Sequence, residues 1–85
     1  MKHVKMMYLR SCPYCAQAFD MVEALKAEHP EYASIEIETI EEREEEEKTQ
    51  GYDYWYVPTY FVDDVKLHEG VPTKEAIENV LKNAI

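Results

Sequence analysis

Cys12-Pro13-Tyr14-Cys15 is the stretch on which the reading of this chain turns. It holds the only two cysteines among the 85 residues. An apolar run, Met6, Met7, Tyr8 and Leu9, precedes it and a helical pattern follows, so Cys12 falls where a strand enters a helix. Unpaired backbone N–H groups and the positive end of the helix dipole gather at such a place and favour an anion. For cysteine that anion is thiolate, the form that attacks a disulfide. Pro13 suits the first helical turn, where its missing N–H is not needed. Cys15 lies one turn on and on the same helix face, within reach of Cys12 for a disulfide. A nucleophile and a resolving partner share four residues, and the pair reads as a redox dithiol.

Two plainer roles fit the pair less well. Structural zinc takes four ligands, usually from two such pairs. Here only His3, His29 and His68 remain, at no ligand-like spacing, so no metal site is expected. A structural disulfide would close a very small loop and restrict the unfolded chain little. Beside a strand–helix–strand pattern, a C-x-x-C reads as catalytic.

Eighty-five residues make one domain with a modest core. No apolar run approaches the length that spans a bilayer. Residues 1–10 carry Lys2 and Lys5, but their apolar segment is too short for a secretory signal. Two cysteines without such a signal suggest a reducing, cytoplasmic setting. A net charge of −9 argues against nucleic acid, whose phosphates would be repelled. No membrane partner is expected either, and the expected state is a monomer. The acid is concentrated in Glu36, Glu38, Glu41, Glu42, Glu44, Glu45, Glu46 and Glu47, with only Arg43 and Lys48 nearby. Such a run is ordinarily a solvated face. The alternative is an acidic docking surface for a basic partner, which would show as salt-dependent association.

Taken in order, residues 3–9 read as a strand, and their continuous apolar run places it centrally in a sheet. A helix follows from 13 to 28, with Cys15, Ala18, Phe19, Val22 and Leu25 on its core-facing stripe. His29-Pro30 ends it, because the residue before proline avoids helical angles. Residues 34–39 alternate, Ile35 and Ile37 against Glu36 and Glu38, as a half-buried edge strand does. Two strands joined by a helix make a parallel βαβ unit. Residues 40–50 form a short, very acidic, weakly stable helix stopped by Gly51. Residues 52–56 form an aromatic loop. Val57-Pro58 opens a strand over 59–62, Asp63-Asp64 makes a two-residue turn, and 65–68 returns as a hairpin. Gly70-Val71-Pro72 leads to a last helix over 73–84, capped by Thr73, with Ala76, Ile77, Val80, Leu81 and Ala84 as its stripe.

The resulting order, β-α-β-α-β-β-α, gives an α/β fold: a four-stranded mixed sheet flanked by three helices, the minimal thioredoxin-like architecture. The Cys-Pro-Tyr-Cys motif, Val57-Pro58 before a strand and Gly70 before the last helix resemble glutaredoxins over nearly the whole chain. The resemblance implies a thiol–disulfide oxidoreductase with Cys12 as nucleophile and Cys15 as resolving thiol. Pro58 would be a cis-proline facing the dithiol, and Val57 would offer its backbone N–H and C=O to a substrate peptide or to glutathione. Pro13 and Tyr14 would flank glutathione, and Arg10, Gly70, Val71 and Thr73 would complete its contacts, Thr73 through its backbone N–H at a helix N-terminus. The resemblance implies no bound cofactor; glutathione would be the co-substrate, and glutathione, disulfide-containing proteins or both would be the partners.

The chain departs from the family pattern at three points. The basic residue usually found three positions before the first cysteine is here Arg10, two before. The usual Gly-Gly pair is Gly70-Val71, and Val71 crowds a place where the family brings backbone close to ligand. The surface is acidic, whereas glutathione is itself an anion. These departures favour an alternative, a thioredoxin-like redoxin fed by a flavoprotein reductase. A third possibility is a non-catalytic metal-binding or interaction module on the same fold. For the aromatic loop of Tyr52, Tyr54, Trp55 and Tyr56, two roles stand open: an apolar rim beside Pro58, or core packing against the acidic helix.

Overall fold

The apolar run ahead of the cysteines becomes β1 (Val4–Tyr8) in the computed structural model, which describes residues 1–85. Successive side chains of a strand point to opposite faces. Val4 and Met6 therefore enter one buried cluster and Met7 the other. A strand buried on both faces belongs inside a sheet, and β1 lies between two partners. The sheet order is β2-β1-β3-β4, with β2 (Ile37–Glu41), β3 (Thr59–Val62) and β4 (Val65–Glu69). β1 runs parallel to β2 and antiparallel to β3, and β3 runs antiparallel to β4. The sheet is thus mixed and four-stranded, with β2 at an edge as its alternating acids predicted.

The β3–β4 turn is made by Asp63 and Asp64 at φ 46° and 66°. Both are left-handed, as a two-residue hairpin turn requires. Aspartate tolerates that region better than most side chains. Here Asp63 accepts from the His3 backbone N–H at 2.9 Å, and Asp64 accepts from the Tyr52 hydroxyl at 2.6 Å.

The first helix, α1 (Pro13–Glu28), buries Cys15, Ala18, Val22 and Leu25, the stripe read from the sequence. It ends at His29 before Pro30, where a single 3₁₀ turn, Pro30–Tyr32, takes over. The second, α2 (Lys74–Ala84), is capped by Thr73, whose Oγ1 accepts the Ala76 N–H at 3.1 Å. It buries Ile77, Val80, Leu81 and Ala84. Both helices share one cluster with Val4, Met6, Tyr60 and Val62, so both cover the same face of the sheet. No helix is long and apolar enough to cross a membrane.

Three expectations are corrected. The acidic helix over 40–50 does not form: Ile40 and Glu41 continue β2, and only a 3₁₀ turn, Glu46–Thr49, follows. The fold therefore has two α-helices rather than three. Like charges at helical spacing repel along that segment, while Ile40 gains a fully buried place on the sheet. Glu41 then bends the chain by accepting the backbone N–H groups of Arg43 at 2.8 Å and Glu44 at 3.3 Å. Second, β2 begins at Ile37 rather than at residue 34, because the chain spends residues 30–34 on turns; Ile35 is buried ahead of the strand. Third, the sheet does not lie between helices. Its second face carries Met7, Ile40 and Phe61, and the cover is the aromatic loop, through Tyr52, Tyr54 and Val57.

Candidate functional site

The site begins with the loop between β1 and α1. The Cys12 N–H donates to the Leu9 carbonyl at 3.2 Å, which turns the chain into the helix. Cys12 is the N-cap, and its Sγ accepts the Cys15 N–H at 3.2 Å. The sulfur thus does what a capping hydroxyl does, satisfying one of the helix's orphan donors. Pro13 occupies the first helical turn. Both cysteines are free thiols, Cys12 half-buried and Cys15 only 1% exposed. Burial, and next hydrogen bonding to Cys12, push the Cys15 thiol well above its ordinary value. The pair is therefore unequal: one sulfur at the surface against a helix N-terminus, one held inside as a thiol.

Facing the dithiol is the segment before β3. The Val57–Pro58 bond is cis, and the Val57 carbonyl oxygen lies 3.8 Å from Cys12 Sγ. Pro58 is buried, and its carbonyl accepts the Gly70 N–H at 2.9 Å, which draws the β4–α2 connection to the same end of the sheet. Gly70 sits at φ +93°, a left-handed angle that glycine adopts without strain. The structure thus assembles Cys12, Cys15, Val57, Pro58 and Gly70 at one end of the sheet. Tyr14 and Val71, on the flanking segments, are exposed. Thr73 spends its hydroxyl on capping α2.

Arg10 is engaged elsewhere. Its guanidinium makes a two-pronged contact with the Glu44 carboxylate, Nε at 2.6 Å and Nη2 at 2.9 Å. Its backbone N–H donates to Glu41 at 2.9 Å. Glu41, nearly buried, therefore ties the loop before Cys12 to the turn after β2, and the N–H groups it accepts hold its carboxyl below the usual carboxylate range. No three His, Cys, Asp or Glu side chains converge where a metal ion would sit.

The aromatic loop divides. Tyr52 and Tyr54 pack edge-on against Phe61, with ring centroids 4.8 Å and 6.3 Å away. The Tyr54 hydroxyl donates to Glu42 at 2.7 Å. Trp55 and Tyr56 turn outward, 85% and 70% exposed. Sequence reasoning missed the residue that directs this, Glu69 at the end of β4. Its carboxylate accepts the backbone N–H groups of Trp55 and Tyr56 and the Lys66 ammonium. Lys66 first, then those two N–H groups, hold the Glu69 carboxyl down at about 2. The only signal was positional: the hairpin register sets Glu69 opposite Thr59, next to Pro58.

Residues 2–82 match the family model described as the thioredoxin domain. A protein named thioredoxin from Methanocaldococcus jannaschii is 32% identical over 74 residues, 87% of this chain and 85% of that one. The crystal structure of the germline-specific thioredoxin Deadhead of Drosophila melanogaster shares the fold, with a TM-score of 0.69. That likeness covers 99% of this chain and 81% of that one at 16% identity, and it speaks to the fold alone. With the family pattern running almost from end to end, this chain belongs to the thioredoxin-domain family.

Proposed function

We propose that this chain is a thiol–disulfide oxidoreductase that reduces protein disulfides through Cys12 and Cys15 and is recharged by a flavoprotein reductase. The observation that carries the reading is the inequality of the two thiols at the head of α1, one reachable and one buried and protonated. The Cys12 thiolate attacks one sulfur of the substrate disulfide. A Cys12–substrate disulfide forms, and the other substrate sulfur leaves as thiolate and takes up a proton. Cys15 then gives up its proton and attacks Cys12 Sγ; the second substrate thiol departs, and the protein is left with a Cys12–Cys15 disulfide. Two electrons have passed to the substrate, and the reductase returns two. The resolving thiol is protected from solvent until the mixed disulfide stands in front of it, a turn of helix away.

Support for the reductase as electron source comes from the relative named thioredoxin and from Arg10, whose guanidinium is committed to Glu44. The Cys-Pro-Tyr-Cys motif supports a second reading, in which glutathione is the co-substrate as in glutaredoxins. The test starts from the oxidised protein, incubated either with NADPH and thioredoxin reductase or with reduced glutathione, while free thiols are counted by mass spectrometry after alkylation. Reduction by the NADPH system is the expected outcome. Reduction by glutathione alone moves the assignment to the second reading, and failure of the reduced protein to cleave insulin disulfides overturns both.

A further inference from the structure

We propose that Glu41 is a positioning residue for the nucleophile: by taking the Arg10 backbone N–H, its buried carboxylate holds the turn before α1 so that Cys12 Sγ stays seated at the helix N-terminus. The proposal rests on the reading of Cys12 as the attacking thiol, and it names what keeps that thiol in place.

The sheet stops supporting the chain just before the dithiol. The last residue of β1 is Tyr8, which lies opposite Glu41 of β2 and whose carbonyl accepts the Glu42 N–H at 3.0 Å. Arg10 and Ser11 are then the central residues of a turn closed by the Cys12 N–H on the Leu9 carbonyl at 3.2 Å. That bond closes the turn on itself and leaves its direction free. The tie to the sheet is the Arg10 N–H, which donates to Glu41 Oε2 at 2.9 Å.

The anchor itself is firmly held. Glu41 is only 6% exposed, and its other oxygen, Oε1, accepts the N–H groups of Arg43 at 2.8 Å and Glu44 at 3.3 Å. A buried carboxylate is costly unless donors meet its oxygens, and N–H bonds to a charged acceptor are among the stronger ones. The Arg10 N–H first, then that of Arg43, hold the carboxyl below the usual carboxylate range, so it stays ionised at neutral pH. Its backbone belongs to a strand paired with β1, so the acceptor sits at a fixed place beside the turn.

What the anchored turn delivers is the sulfur two residues on. Cys12 Sγ accepts the Cys15 N–H at 3.2 Å. The pull of a helix terminus on an anion falls off within the first turn, so a sulfur that wanders loses it. The charge of Glu41 acts the other way, because a nearby anion disfavours thiolate. Position and charge therefore predict opposite results when the carboxylate is removed.

The test measures alkylation of Cys12 by iodoacetamide in the full chain, as the rate at pH 7 divided by the plateau rate at alkaline pH. This ratio reads ionisation and cancels access. Arg10→Ala removes the guanidinium and keeps the N–H; Arg10→Pro removes both, at the second position of a turn, where proline is favoured. The ratio should be about threefold or more lower in Arg10→Pro than in Arg10→Ala. Glu41→Ala should lower it by a similar factor, and in that background the two Arg10 variants should agree. The proposal is overturned if Arg10→Pro and Arg10→Ala match in the wild-type background, if their difference survives Glu41→Ala, or if Glu41→Ala raises the ratio. The Arg10 pair leaves the carboxylate in place, so it decides even if Glu41→Ala folds poorly. A wild-type protein inactive on insulin would instead sink the proposed function, which the alkylation ratios do not touch.

Discussion

Truncating Phe61 tests whether an aromatic loop does the work of a helical layer on the second face of the sheet. Phe61 sits in β3, nearly buried, with Met7 and Ile40 as buried neighbours and the rings of Tyr52 and Tyr54 edge-on at 4.8 Å and 6.3 Å. Phe61→Ala removes the side chain around which this cluster is arranged, at a cost of about 3–5 kcal/mol, the range for buried phenylalanine. The total stability of a domain of this size is only about 4–13 kcal/mol, so that single change removes a large share of it. Phe61→Leu keeps aliphatic filling but loses two edge-on aromatic pairs, each worth about 0.5–1.5 kcal/mol, and should cost about 1–3 kcal/mol in all. Each kcal/mol lowers Tm by about 4–8 °C in a domain this small. The assay is a urea titration followed by far-ultraviolet circular dichroism and by fluorescence of Trp55, the sole tryptophan, which lies in the same loop. In the wild type the two signals should coincide. In Phe61→Leu the fluorescence change should come first, because the loop loses its packing while α1 and α2 keep theirs on the opposite face. A Phe61→Ala protein within about 1 kcal/mol of wild type would refute the reasoning, since the second face would then not be a packed layer.

Two further outcomes follow from the titrating groups. Iodoacetamide at neutral pH should alkylate Cys12 and spare Cys15 until urea opens the core, because burial and the bond to Cys12 keep Cys15 a thiol; peptide mapping that finds both labelled equally in the folded protein contradicts this. Glu28, Glu41, Glu44 and Glu69 all titrate lower in the fold than the ordinary 4.5, Glu69 at about 2. In that window the unfolded chain binds more protons than the native one, so their contribution is complete above pH 4.5 and is lost as pH falls toward 2. Tm should therefore drop with acid across that range, less steeply in Glu69→Gln, and a flat profile would rule out these carboxylates as folding-linked groups.

The dithiol and the helix behind it were legible because everything that defines them is local. Cys12, Pro13 and Cys15 are set by their order, and the stripe from Cys15 to Leu25 by its period. Val4–Tyr8 was legible as a central strand for a related reason, its apolar run being longer than one face needs. What escaped was the choice of partner by charged groups far apart in the chain. Residues 40–50 carry glutamates that suit a solvated helix, yet Glu41 spends its carboxylate on the backbone of Arg10, thirty-one residues earlier. Arg10, counted from Cys12 alone, stood ready for a substrate anion; Glu44 reaches it only because β2 lies parallel beside β1. Glu69 was unremarked because its partners, Trp55 and Tyr56, become neighbours only through the β3–β4 register.

These misses share one cause, and it bears on the site. Glu41 gathers backbone N–H groups to hold the loop that ends in Cys12, and Glu69 does the same for the loop that ends in Val57. A carboxylate with several N–H donors is a strong, directional clasp. The sulfur of Cys12 and the carbonyl of Val57, 3.8 Å apart, are thus brought face to face by two acids that a count of net charge assigns to solvent. In this chain part of the acidity is structural, and the exposed aromatic edge of the site depends on it.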